Sequence, residues 1–148
     1  MRTKNRQAAL ITGGACRIGK AIAIHLASLG YDIALHYHCS LQEAFRTAEN
    51  IRRKGVSCKL FSGDLNEPQV AASLIRDVSL HYKRLALVIN NAAVFLPARL
   101  KDTQYALFEK HFNINFKSPF FLTQAFSLKM KRGHVINMID TRVKGNEG

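Results

Sequence analysis

No apolar run in this sequence is long enough to cross a bilayer. Leu85–Ile89 and Val135–Ile139 fall far short of the roughly 20 residues a spanning helix requires. The N-terminal stretch Met1 to Arg6 is basic, but Ala8–Ile11 is too short for a signal h-region, so a cytoplasmic location and no membrane partner are expected. Cysteine is scarce: Cys16, Cys39 and Cys58 are odd in number, widely spaced and without a Cys-x-x-Cys pair. Neither a disulfide framework nor a zinc site is suggested. Acidic residues are few, 10 against 22 Lys and Arg, which leaves a net charge of +12. Such a charge attracts polyanions, yet no long basic run stands anywhere in the chain. The charge therefore reads first as a solvated basic surface, and nucleic-acid binding is kept as the minority reading. Internal repeats, linkers and low-complexity segments are also absent.

What is present is the composition of a globular protein, 47% hydrophobic over 148 residues, enough for a single domain over 1–148. Ala8 to Thr12 reads as a strand, followed by a glycine-rich turn. Ile18, Ile22 and Leu26 mark one face of a helix that ends at Gly30. A strand over Tyr31 to His36, a helix over Leu41 to Lys54 and a strand over Val56 to Phe61 follow. Asn66-Glu67-Pro68-Gln69 resembles a helix start, and Val70, Leu74 and Val78 give that helix its apolar face. Leu85–Ile89 is apolar throughout, as in a strand covered on both faces. Helical stretches over Thr103 to Glu109 and Phe112 to Lys131 precede a last strand over Gly133 to Asp140. The alternation predicts an α/β fold: a doubly wound parallel sheet of about five strands, with right-handed crossovers and helices on both faces.

Between the first strand and the first helix stands Thr12-Gly13-Gly14-Ala15-Cys16-Arg17-Ile18-Gly19. Glycines allow a tight turn and a close approach to a ligand, and the helix N-terminus offers free N–H groups to an anion. The spacing resembles the T-G-x-x-x-G-x-G turn of the short-chain dehydrogenase/reductase superfamily, with Arg17 in place of the middle glycine. In NAD-binding folds an acid about 20 residues further on holds the ribose hydroxyls. Here the second strand runs into Leu35-His36-Tyr37-His38-Cys39-Ser40, while Asp32 and Glu43 are poorly placed. Arg17, His36, His38 and Ser40 could donate to a 2′-phosphate, so NADPH is expected over NADH. The competing reading is a pair of strand-end histidines without a ligand. As a metal site that pair lacks a third ligand, so no metal is expected.

Further stretches carry the resemblance. Asp64-Leu65 follows the third strand, where the superfamily sets an aspartate against the adenine; a turn-forming Asp64 is the alternative. Asn90-Asn91-Ala92-Ala93 resembles its N-N-A-G segment, whose backbone lines the nicotinamide side of the cofactor. In Asn115-Phe116-Lys117-Ser118-Pro119, the proline leaves the Asn115 carbonyl without its helical partner. The resemblance gives that asparagine a proton-relay water, and a helix beginning at Ser118 is the alternative. Within the superfamily the sequence is most similar to pteridine reductases and dihydropteridine (dihydromonapterin) reductases. Arg17-Ile18-Gly19, Leu35 to His38, Asn90 to Pro97 and Asn137 to Asp140 carry that likeness. It sets Phe95 against the flat pterin ring and Asp140 at its nitrogens, as a proton-passing group. The rival readings are core packing for Phe95 and a turn cap for Asp140. Cys39 and Ala93 depart from the usual arginine and serine.

The resemblance also implies a tyrosine proton donor, with a lysine four residues on, about a dozen residues beyond Asp140. None of Tyr31, Tyr37, Tyr82 and Tyr105 has that lysine. The expectation is therefore the N-terminal, cofactor-binding portion of an NADPH-dependent pterin reductase. It would act by hydride transfer to a C=N or C=O bond, be nearly inactive alone, and pair with itself or with a complementing C-terminal fragment. A non-catalytic dinucleotide-binding or interaction module is the alternative.

Overall fold

A computed structural model describes residues 6–139 of the chain; Asp140 lies outside them. The elements run β1 (Ala8–Ile11), α1 (Arg17–Ser28), β2 (Asp32–Tyr37), α2 (Leu41–Arg52), β3 (Cys58–Ser62), α3 (Val70–His81), β4 (Leu85–Asn90), α4 (Tyr105–Phe112), α5 (Ser118–Lys129) and β5 (His134–Asn137). All strand pairs are parallel, in the order β3-β2-β1-β4-β5. The chain winds outward from β1 to β3, then returns to β4 on the other side of β1. That reversal opens a crevice at the C-terminal ends of β1 and β4, where open α/β sheets take their ligands.

Side chains alternate across each strand, and the core divides accordingly. Ile11, Ile33 and Leu35 pack with Ala23, Ala44 and Ile51 beneath α1 and α2. Leu10, Ala34 and Val88 pack with Leu74, Val78, Leu122 and Phe126 beneath α3 and α5. The α/β, doubly wound parallel fold expected from the pattern is the one observed.

Several boundaries differ from the pattern. α3 begins at Val70 because Asp64 first makes a turn of its own: its Oδ1 accepts from the Asn66 N–H at 2.9 Å and its carbonyl from the Glu67 N–H at 3.0 Å. The expected Phe112 to Lys131 helix is the end of one continuous rod. α4 passes through a π-helical stretch, Asn113–Lys117, into α5. The Ser118 N–H reaches back to the Asn113 carbonyl, a π-type bond that takes up one extra residue. Pro119, which has no N–H, then fits the first turn of α5 without breaking the rod. β5 is shorter than expected, His134–Asn137, and lies at a sheet edge. Among the described residues no helix is long and apolar enough to cross a membrane.

Candidate functional site

Two segments meet at the crevice, and Thr12 joins them. Its buried hydroxyl accepts from the Asn91 N–H at 2.9 Å and the Ala92 N–H at 3.0 Å. The Asn91 carboxamide answers by donating to the Thr12 and Gly13 carbonyls at 2.9 and 3.2 Å. Asn91 thus spends both its amide and its side chain on holding the two segments together. The glycines follow from this closeness. Gly13 is left-handed, with φ 62°, and a Cβ on Gly19 would lie 2.3 Å from the Gly13 carbonyl oxygen. One glycine is required by conformation and the other by space.

Arg17, at the first residue of α1, is exposed and also left-handed, with φ 51°. A side chain in that conformation costs roughly 1–2 kcal/mol, and non-glycine strain of this kind collects at functional sites. No side chain caps α1, and its first turn holds no acid. Among the described residues no hydrogen bond is donated by the amides of residues 15 to 19. A helix start with uncommitted N–H groups, a positive dipole end and a cation beside it is suited to an anion. These residues fit the phosphates of a dinucleotide.

The second strand requires corrections. His36 is buried, accepts from the Gly13 N–H through Nδ1 at 3.3 Å and donates through Nε2 to the Gly63 carbonyl at 3.1 Å. Burial pushes its pKa down to about 4. Neutral and fully bonded, it has no donor left for a phosphate; it fixes the glycine turn instead. Tyr37, on the other side of the strand, packs against the α1/α2 core and not the crevice. The Leu65 side chain is buried in the α3/α5 core. His38 does remain at the surface, with Nε2 3.7 Å from Asp64 Oδ2. Ser40 precedes α2 without capping it.

Beyond the crevice, residues 91–99 form a loop without regular structure, clamped to the α4–α5 rod on either side of Phe95. The Asn115 carboxamide accepts from the Val94 N–H at 2.9 Å and donates to the Val94 carbonyl at 2.8 Å. His111 Nε2 accepts from the Leu96 N–H at 3.0 Å, while Nδ1 donates to the Leu107 carbonyl at 2.9 Å. Asn115 thus clamps the loop through its side chain, a contact separate from its backbone carbonyl, where a relay water was expected. Asn115 also borders a cavity of about 590 Å³ lined by Ala92, Ala93, Phe95, Phe120 and Met138. Asn90 lies at its base. Its Nδ2 donates to Asn137 Oδ1 at 2.8 Å, and its buried Oδ1 has no partner among the described residues. The sequence reading missed His111 and the Thr12 hydroxyl. Thr12 stands at the start of the glycine turn and is legible there. Nothing along the chain joins His111 to Leu96.

This arrangement has known counterparts. A family model described as short chain dehydrogenase matches residues 7–143. The chain belongs to the short-chain dehydrogenase family. Among curated members, General stress protein 39 of Bacillus subtilis is 32% identical over 86% of this chain and 45% of its own length. Among solved structures, FolM alternative dihydrofolate reductase 1 of Brucella suis in complex with NADP is 33% identical, with a TM-score of 0.86 over 93% of this chain and 58% of its own. A blue fluorescent protein from a metagenomic library, in complex with NADPH, is 27% identical with a TM-score of 0.91. The chain thus spans about half the length of the curated relatives it matches. Among the described residues no cluster of His, Cys, Asp or Glu could hold a metal ion.

Proposed function

We propose that this chain is the cofactor-binding portion of an NADPH-dependent reductase of the pterin-reducing type. The observation that carries the reading is the exposed, left-handed Arg17 beside the uncapped start of α1, with no acid at the end of β2. A carboxylate there would repel a 2′-phosphate; Arg17, with His38 and Ser40 across the turn, would attract it. Gly13, Ile18 and Gly19 would let the pyrophosphate approach the helix start. Asp64 would border the adenine, and Asn91, Ala92 and Ala93 the nicotinamide. Bound NADPH would supply a hydride to a C=N or C=O bond.

Pterin as the substrate is supported by the likeness to the FolM relative and by the apolar cavity with Phe95 at its mouth. Asp140 is proposed as the group that faces the ring nitrogens, and Asn115 as the anchor of the water that returns the proton. Tyr82 is no substitute donor, because its hydroxyl is bonded to the Ile33 carbonyl and burial pushes its pKa up to about 12. A homo-oligomer is proposed through the α4–α5 rod, where Phe108, Phe112 and Phe116 stack along an exposed face.

Cofactor binding tests the reading directly. Fluorescence titration should show NADPH bound more tightly than NADH, with added salt eroding the difference. Arg17→Ala should weaken NADPH by about tenfold, the scale of a hydrogen bond to a charged group, and leave NADH nearly unchanged. Equal affinity for the two cofactors overturns the 2′-phosphate reading.

A further inference from the structure

The charge is spread along the sequence, but the topology gathers it. In a parallel sheet every connection into a strand arrives at the same edge. The segment before β1 brings Arg6 to that edge. The α2–β3 connection brings Arg52, Arg53 and Lys54, the α3–β4 connection Lys83 and Arg84, and the α5–β5 connection Lys129, Lys131 and Arg132. Nine cations stand there against one carboxylate, Asp32, a formal excess of eight. At the opposite edge, around the glycine turn, three cations (Arg17, Arg99, Lys101) face three acids (Asp64, Glu67, Asp102).

Helix dipoles explain only part of this. The C-termini of α1, α2, α3 and α5 end at the basic edge, and each is equivalent to roughly −0.5 charge. Together they ask for about two compensating cations, which leaves an excess of about six. Salt bridges do not absorb the rest. Arg84 set aside, the ion pairs among the described residues, His38–Asp64, Arg76–Asp77 and Lys117–Glu109, involve none of these cations.

Part of the edge is also shaped. A cavity of about 720 Å³ opens beside β3, lined by Arg6, Arg52, Lys59 and His81. Arg6 NH1 donates to the Gly55 carbonyl at 2.5 Å, and Arg52 donates to the Cys58 carbonyl through Nε at 3.2 Å and NH2 at 2.8 Å. Both guanidinium groups are thus held in place by backbone, with other N–H groups still uncommitted. Asp32, on the same cavity, has Oδ1 engaged by the Ser57 N–H at 2.7 Å. A pre-oriented planar fork is the group best matched to a phosphate.

We infer that this edge is a second anion-binding surface, distinct from the cofactor crevice, and that it takes the phosphodiester backbone of a nucleic acid strand. Width favours a chain of phosphates over a single one. Five strands at about 4.8 Å spacing span roughly 19 Å, room for about three successive phosphates of an extended single strand, whose spacing is about twice the ~3.4 Å axial rise of a duplex. Arginines held beside β3 would anchor the strand, and the lysines and arginines leading into β4 and β5 would follow its backbone.

Fluorescence anisotropy with a labelled single-stranded 20-mer tests this on the whole chain. With about three contacts at a slope near −0.7 per phosphate, affinity should fall roughly 20-fold between 50 and 200 mM salt. The double variant Lys54→Glu/Lys83→Glu, at exposed positions, should weaken binding at least tenfold and flatten the salt slope. The equally charge-reversed Arg99→Glu/Lys101→Glu, at the other edge, should change it less than threefold. Circular dichroism melts establish that both variants fold. Equal losses from the two variants would reduce the effect to net charge and overturn the proposal. So would poly-glutamate binding as tightly as the oligonucleotide, which would point to an acidic protein. Displacement by millimolar inorganic phosphate, beyond that by sodium chloride of matched ionic strength, would overturn it in favour of a free-phosphate site.

Discussion

Ile11 in β1 and Ile136 in β5 are the same residue in the same kind of parallel strand, yet one is 0% and the other 47% exposed. β1 has β2 and β4 beside it and helices over both faces. β5 has only β4 beside it. The contrast extends to the helices. α1 and α2 set alanines, a threonine and Ile51 fully against the sheet, whereas α4 buries none of its residues and α5 buries only Ser118, Leu122 and Phe126. Apolar sequence alone does not make a core; each strand's neighbours decide which of its side chains leave water.

The largest expected effect is a test of that contrast. Ile11→Ala should cost about 2–5 kcal/mol, the range for opening a cavity in a packed core. Ile136→Ala should cost under about 1 kcal/mol, because much of its surface is already solvated. Urea unfolding of the two variants measures both, and equal losses would break the comparison.

Acid sharpens it next. His36 belongs to the packed half and its pKa is about 4 in the fold against 6.5 for the free group. The unfolded chain therefore binds the extra proton first as pH falls. The stability tied to neutral His36 is complete above pH 6.5, declines below it, and is gone by about pH 4. The shift corresponds to about 3 kcal/mol. His36→Gln should flatten that part of the pH–stability curve, and an unchanged slope would mean that His36 is not the group responsible.

The smallest effect is at Arg17. Replacing it with glycine removes the left-handed strain but frees the unfolded chain, so Arg17→Gly should stabilise by about 1 kcal/mol or less in thermal melts. A loss of stability would show that contacts of the arginine hold the turn.

Local pattern made much of the fold legible. Short apolar runs and period-3.6 spacing placed the strands and helices, because those signals are carried by neighbouring residues. The Thr12 to Gly19 turn was legible for the same reason: its conformation and its packing both demand glycine. The start expected at Asn66 moved to Val70 where the Asp64 turn took over, and the π stretch set the start of α5 at Ser118, the alternative to Phe112.

The roles of polar side chains were less legible. His36 looked like a phosphate donor beside His38, but its partners are the Gly13 amide and the Gly63 carbonyl, 23 and 27 residues away. Asn115 looked like a helix irregularity, but its carboxamide pairs with Val94, 21 residues back. The sequence by itself determined the order of elements, the glycine turn and the lack of an acid after β2, since each is a property of adjacent residues. Only the tertiary structure decided that His36 is spent on the turn, that Asn115 and His111 flank Phe95, and that dispersed cations share one edge. Hydrogen bonds and fields depend on distance in space, and the parallel winding of the sheet sets those distances.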